Sequence, residues 1–150
     1  MKEPFPETPQ FIYRRRIQFA ETDMAGIVHF SQYYKIMEET EHAFFRSLDL
    51  TIMHHQEDGS IVGWPRVSAS CNFEAPIFFE DDIEVRLAVY RKGVKSVTYN
   101  FEFWRDATRL ARGTMKTVCC HFAHGEKMKS IEIPPMYRDK IQEDYRTDPA

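Results

Sequence analysis

The sequence predicts an α+β domain in which a curved antiparallel sheet wraps one long central helix. Two observations lead there: one stretch of helical period lies between Ser31 and Leu48, and five stretches of period two surround it, one before and four after. The chain has 150 residues, enough for one domain that buries about two thirds of its unfolded surface.

Residues 1–10 hold three prolines and little apolar content, and they read as a loose N-terminal arm. From there Phe11, Tyr13, Ile17 and Phe19 alternate with Arg14, Arg16 and Gln18, the mark of a half-buried strand whose pattern Arg15 interrupts. The period then changes. Tyr33, Ile36, Met37, Thr40 and Phe44 form one helical stripe, with Glu38, Glu39 and Glu41 mostly off it. Ser31 suits the N-cap, because its hydroxyl can accept from an unpaired amide of the first turn. The helix fades near Leu48, and "TIMHHQEDGS" reads as a connecting loop.

Four strands follow. Val67, Ala69, Cys71 and Phe73 give the inward face of the first; Ile83, Val85, Leu87 and Val89 that of the second; Val97, Tyr99, Phe101 and Phe103 that of the third. A weaker strand runs from Ala111 to Phe122, after which "HGEK" and "IPP" end the regular structure. A helix of about seventeen residues is roughly 25 Å long, and a sheet curved around it buries both apolar faces in one pair of layers. That arrangement is the hotdog fold. It occupies residues 11–137 and leaves 138–150 as a charged tail. An open sheet face and edge predict pairing into a homo-oligomer, a dimer or a tetramer.

Composition narrows the function classes. Hydrophobic residues make up 43% and aromatics 14%, which fits a globular chain rather than a disordered one. A net charge of −3 offers nothing to nucleic acid or to an anionic membrane. The apolar stretches fall short of the ~18 residues of a membrane span, and "MKEPFPETPQ" lacks a signal-peptide layout, so the expected location is cytoplasmic. Three cysteines, two of them adjacent, imply no disulfide framework. His54, His55, His121 and His124 come with no metal-binding spacing, so no metal is expected.

The segment "FAETDMAGIVHFSQYYKIMEE", Phe19 to Glu39, carries the chemistry. It resembles the motif of the 4-hydroxybenzoyl-CoA thioesterase family: an aromatic residue, two acidic positions flanking one residue, then Ala-Gly-hydrophobic-Val leading into the central helix. "IVGWPRVSASCNFEAPIFFEDDIEV", "VKSVTYNFEFWR" and "GEKMKSIEIPPMY" are similar to later segments of that family, so the likeness covers most of Phe11 to Tyr137. The resemblance implies acyl-CoA thioester hydrolysis, with Asp23 matching the catalytic aspartate and the backbone N–H of Phe30 matching the amide that polarises the carbonyl. Lys95 and Ser96 match positions that approach the CoA nucleotide in some members.

The chemistry suits these residues. A thioester carbonyl needs an attacking water or carboxylate and a place for the charge that develops on its oxygen. Free amides at a helix start supply the second, at the positive end of the helix dipole. Asp23 serves as nucleophile or general base, against the plain alternative of a turn or cap residue. Gly26 lets the backbone approach a ligand or take positive φ. His29 is a rival base, and Glu21 is structural or shares the work. Glu38 either faces the acyl pocket or lies exposed. Trp64 lines the pocket entrance or packs in the core. Arg91, Lys92 and Lys95 meet CoA phosphates or form a solvated hairpin turn.

The expected function is hydrolysis of a small, medium-chain or aromatic acyl-CoA, with no cofactor beyond the CoA of the substrate. The alternative is a non-catalytic acyl-CoA or acyl-carrier binding module on the same fold. A dehydratase would need a histidine in the helix stripe, where His42 alone lies near the far end.

Overall fold

The computed structural model describes residues 8–144. Strand β1 (Phe11–Arg16) leads through a short 3-10 turn (Phe19–Glu21) to helix α1 (Phe30–Ser47). A small hairpin, β2 (Met53–His55) and β3 (Ile61–Gly63), precedes four longer strands: β4 (Arg66–Phe73), β5 (Asp82–Lys92), β6 (Ser96–Arg105) and β7 (Thr108–Val118). Strands β8 (Cys120–Phe122) and β9 (Lys129–Ser130) and a one-turn helix α2 (Pro135–Arg138) complete it.

The main sheet has the order β1-β5-β6-β7-β4, antiparallel throughout, and α1 lies across one face. The inward residues of β5 and β6 were readable from their alternation: Ile83, Val85, Leu87, Val89, Val97, Tyr99, Phe101 and Phe103 are all buried. From the helix, Tyr33 meets Phe103 at 5.4 Å between ring centroids and Phe44 meets Tyr99 at 6.4 Å. Gly113 of β7 permits this approach. A Cβ there would stand 2.7 Å from Met37 Sδ and 3.3 Å from the Ser70 carbonyl oxygen. Because Met37 is itself fully buried, it has little room to retreat. Gly113→Val is therefore expected to cost about 1–3 kcal/mol through overpacking, read as a lower urea midpoint at unchanged slope.

Several sequence expectations are corrected. The first strand ends at Arg16, and Phe19 sits 74% exposed in the 3-10 turn. Arg15 does not break the alternation. It points inward with its side chain 11% exposed, its charge met by Glu21 Oε2 at 2.8 Å and Glu39 Oε2 at 3.2 Å. The helix begins one residue earlier than Ser31, capped by His29, whose Nδ1 accepts from the Ser31 N–H. Glu41 lies within the buried face and is wholly covered. "TIMHHQEDGS" is not a plain loop, because it supplies β2 and the turn to β3. The strand expected over 111–122 divides near Cys119 into β7 and β8, which belong to different sheets; the second has the order β2-β3-β8-β9. Regular structure also continues past "HGEK" into β9 and α2.

Strand β4 departs furthest from its expected half-buried pattern. Among the described residues it pairs only with β7, and as the outer strand it leaves Val67 57% and Phe73 51% exposed.

The termini of the described chain pack on the domain. Gln10 accepts from the Val89 N–H and donates to the Gln142 carbonyl oxygen, each at 2.9 Å. Beyond residue 137, Ile141 is buried, and Lys92 Nζ donates to the carbonyls of Arg138 and Ile141. Of the expected arm and tail, residues 1–7 and 145–150 lie outside the described residues. No helix among the described residues is long and apolar enough to cross a membrane.

Candidate active site

The loop from Gln18 to His29 is built almost entirely by local hydrogen bonds. Glu21 closes the 3-10 turn by accepting from the Gln18 N–H at 2.8 Å, and its backbone carbonyl accepts from the His29 N–H at 2.9 Å. Between them the chain makes a tight hairpin. The Asp23 N–H donates to the Ile27 carbonyl and the Gly26 N–H to the Asp23 carbonyl, with Thr22 and Val28 bridged across the base. Gly26 has φ of 80°, the left-handed conformation that follows a type I turn and that glycine adopts without strain. The hairpin is fixed to the body of the domain where the Val28 N–H donates to the carbonyl of buried Ile77 at 2.8 Å.

This construction delivers Asp23 and Phe30 to one cleft of ≈ 430 Å³ at the start of α1. Ile27, Val28, Tyr33, Phe73, Ala75 and Pro76 give it apolar walls. Two carboxylates line it, and they differ. Glu74 is bound by Arg109 at 2.7 and 3.2 Å, and that hydrogen bonding holds its pKa below the usual carboxylate range. Asp23 forms no ion pair among the described residues; its one side-chain bond is from the Ala25 N–H at 2.8 Å. Phe30 brings a further polar group to this end of the helix: its N–H, the first amide of α1, has no backbone acceptor among the described residues. The cleft thus combines an available carboxylate with a free amide at the positive end of a helix dipole.

The remaining candidates are distributed. His29 caps α1 through Nδ1, 2.8 Å from Ser31 Oγ, and packs against Phe30; it does not line the cleft. Glu21 faces inward to Arg15.

Glu38 and Trp64 line a second cleft of ≈ 390 Å³, whose walls are Ile52, Met53, Ile61, Pro65 and Phe122, with His42 and Arg66 beside Glu38. Trp64 is also a core residue. Its ring is 3% exposed and packs edge-on against Phe45 and Tyr137. Lys95 and Ser96 lie in and after the β5–β6 turn, where the Lys95 carbonyl accepts from the Cys119 N–H, and they line neither cleft.

Three groups near the second cleft stand outside the thioesterase site that the sequence implied. Glu41 is fully buried against Arg66; burial pushes its pKa up, and the guanidinium draws it partly back. His42 is shifted down, chiefly by burial, which favours the neutral ring. The spacing from Met37 to Glu41 puts that carboxylate on the covered face, whereas the sequence reading set it with Glu38 and Glu39 mostly off the apolar stripe. Arg66 carried no signal at all.

An antiparallel sheet packed on one long helix, with a cleft at the helix start, defines a hotdog-fold protein. The chain belongs to the Thioesterase-like superfamily, whose family model matches residues 17–141. It is 28% identical over 111 residues to a 1,4-dihydroxy-2-naphthoyl-CoA hydrolase of Nostoc punctiforme, covering 73% of each chain. Among solved structures, a 1,4-dihydroxy-2-naphthoyl-CoA thioesterase from Synechocystis superposes with a TM-score of 0.77 at 28% identity, covering 87% of this chain and 94% of that one. A gentisyl-coenzyme A thioesterase superposes with a TM-score of 0.74 at 29% identity, covering 88% of this chain and all of the other.

Proposed function

We propose that this enzyme hydrolyses the thioester of a hydroxylated aromatic acyl-CoA, with Asp23 delivering the attack and the Phe30 N–H receiving the charge. The observation that carries this reading is the pairing, in one cleft, of an aspartate free of ion pairs with the first amide of α1. Asp23 attacks the carbonyl carbon itself or takes a proton from a water that does so. The carbonyl oxygen becomes negative and is met by the amide, a donor whose loss typically costs about 3 kcal/mol of transition-state stabilisation. The C–S bond then breaks, and CoA leaves as a thiolate that collects a proton; where Asp23 itself attacked, a water next hydrolyses the acyl-aspartate anhydride, releasing the free acid and restoring the carboxylate. Hydroxylated aromatic rings are common to the acyl groups named for the two related thioesterases and to 4-hydroxybenzoyl-CoA, which the motif suggests.

A homo-oligomer completes the reading. The edge of β4 opposite β7 has no strand partner among the described residues and runs between the two clefts, with Phe73 at one end and Arg66 at the other. Antiparallel pairing of two β4 edges sets the Asp23 cleft of one subunit beside the Glu38 cleft of the other.

Thiol release from a panel of acyl-CoAs tests the proposal: benzoyl, 4-hydroxybenzoyl, 2,5-dihydroxybenzoyl, hydroxynaphthoyl, butyryl and octanoyl. The hydroxylated aromatic members are expected to give the highest kcat/KM. Release from none of them, with saturable CoA binding, would establish the non-catalytic binding module instead. Light scattering is expected to give a mass of at least two chains.

A further inference from the structure

We propose that Arg66, positioned by the buried Glu41, is the group that selects a ring hydroxyl on the acyl part of the substrate, in the cleft that Arg66 shares with Glu38. This rests on the thioesterase reading for the identity of the substrate, and on the geometry of Arg66 for the rest.

The cleft is apolar except at Arg66, Glu38 and His42. The guanidinium is fixed from several sides. Nη1 donates to the Trp64 carbonyl at 2.7 Å; Nη2 contacts Glu41 Oε1, the His42 ring at 3.4 Å and Glu38 Oε2 at 3.5 Å. Of the five N–H groups in this rigid plane, Nη2 spends both of its hydrogens on three neighbours, one hydrogen on Nη1 is left over, and the Nε–H is buried with no hydrogen-bond partner among the described residues. The pair is anchored at depth. Glu41 is fully buried on α1, so the guanidinium cannot swing out to water without abandoning a desolvated carboxylate. Glu38 is different: half exposed, it presents acceptor oxygens beside the same guanidinium.

A phenolic hydroxyl both donates and accepts, so it can give its proton to Glu38 and take one from Arg66. An unsubstituted ring or a fatty acyl chain fills the apolar walls equally well and leaves those polar groups without a partner. A site built to hydrogen-bond a hydroxyl discriminates against the analogue lacking it far more strongly than an apolar pocket discriminates by shape. His42, kept neutral by burial, accepts from Arg66 without adding a second positive charge. Glu41 is a positioning residue, since it touches Arg66 rather than the ligand.

The test uses the full chain and inert thioether analogues of benzoyl-CoA, with a methylene between sulfur and carbonyl. One is unsubstituted; three carry a hydroxyl at ring position 2, 3 or 4. Calorimetry gives each Kd for the wild type, for Arg66→Met, and for Arg66→Met with Glu41→Leu. The double variant removes both charges and so avoids stranding a buried carboxylate. At least one hydroxylated analogue is expected to bind the wild type about tenfold or more tighter than the unsubstituted one, a ratio that falls towards one in the double variant. No hydroxyl preference in the wild type, or a preference that survives the double variant, overturns the proposal. Because these analogues cannot be hydrolysed, the result is independent of turnover. A wild type that binds them selectively yet releases thiol from no acyl-CoA would sink the thioesterase reading and leave the role of Arg66 standing.

Discussion

Asp23→Asn is expected to lower kcat by about a hundredfold to ten-thousandfold, with KM little changed. The substitution is a clean one. Asp23 is exposed, and among the described residues its side chain is engaged only by the Ala25 N–H, which can donate equally well to an asparagine Oδ1. The hairpin that presents it is otherwise closed by backbone bonds, so the variant should keep the wild-type melting temperature. What is lost is the negative charge needed to attack the thioester or to activate water. Steady-state thiol release on the best substrate of the panel, beside a thermal melt, measures both quantities. An unchanged kcat would remove Asp23 from the mechanism and return attention to His29 and Glu21.

The largest expected effect on stability comes from Arg15→Met, at about 3–5 kcal/mol. Arg15 lies between two carboxylates, and both Arg15 and Glu21 are nearly inaccessible to water. Removing the cation leaves Glu21 buried without its neutralising partner, and that desolvated charge carries most of the cost. Urea denaturation reads the loss as a lower midpoint. A companion variant with Glu21→Gln and Glu39→Gln should recover much of it, because no charge is then stranded. Activity should fall as well. Glu21 holds the Gln18 N–H through its side chain and the His29 N–H through its carbonyl, so it fixes both ends of the loop that carries Asp23. A loss below about 1 kcal/mol would mean that the pair behaves as a solvated surface bridge.

These two positions illustrate how far sequence reasoning reached. The helix, the strands β5 and β6 and the Asp23 loop were legible because each is specified locally: by apolar period, or by an acidic residue and a glycine in a short turn. Arg15 and Glu41 were misread for one physical reason. A charged side chain at an inward position contradicts the local pattern, and only its partner, brought from a distant element, makes the burial tolerable. Arg66 meets Glu41 across 25 positions of sequence, and no periodicity encodes such a meeting. The small second sheet was missed for a related reason, since strands of two or three residues are too short to establish an alternation. The exposure of β4 follows from its place at the edge of the sheet, which depends on the order of all the strands.

The two clefts share no lining residue among those described. One is assembled from the loop before α1 and the segment after β4; the other from the middle of α1, the β2–β3 hairpin and β8. Substitutions in the hairpin can therefore reshape what is admitted without disturbing the groups beside the helix start. On the roles proposed for Asp23 and Arg66, selectivity and turnover become two separate dials for a protein engineer, and the β2–β3 hairpin is the one to turn first.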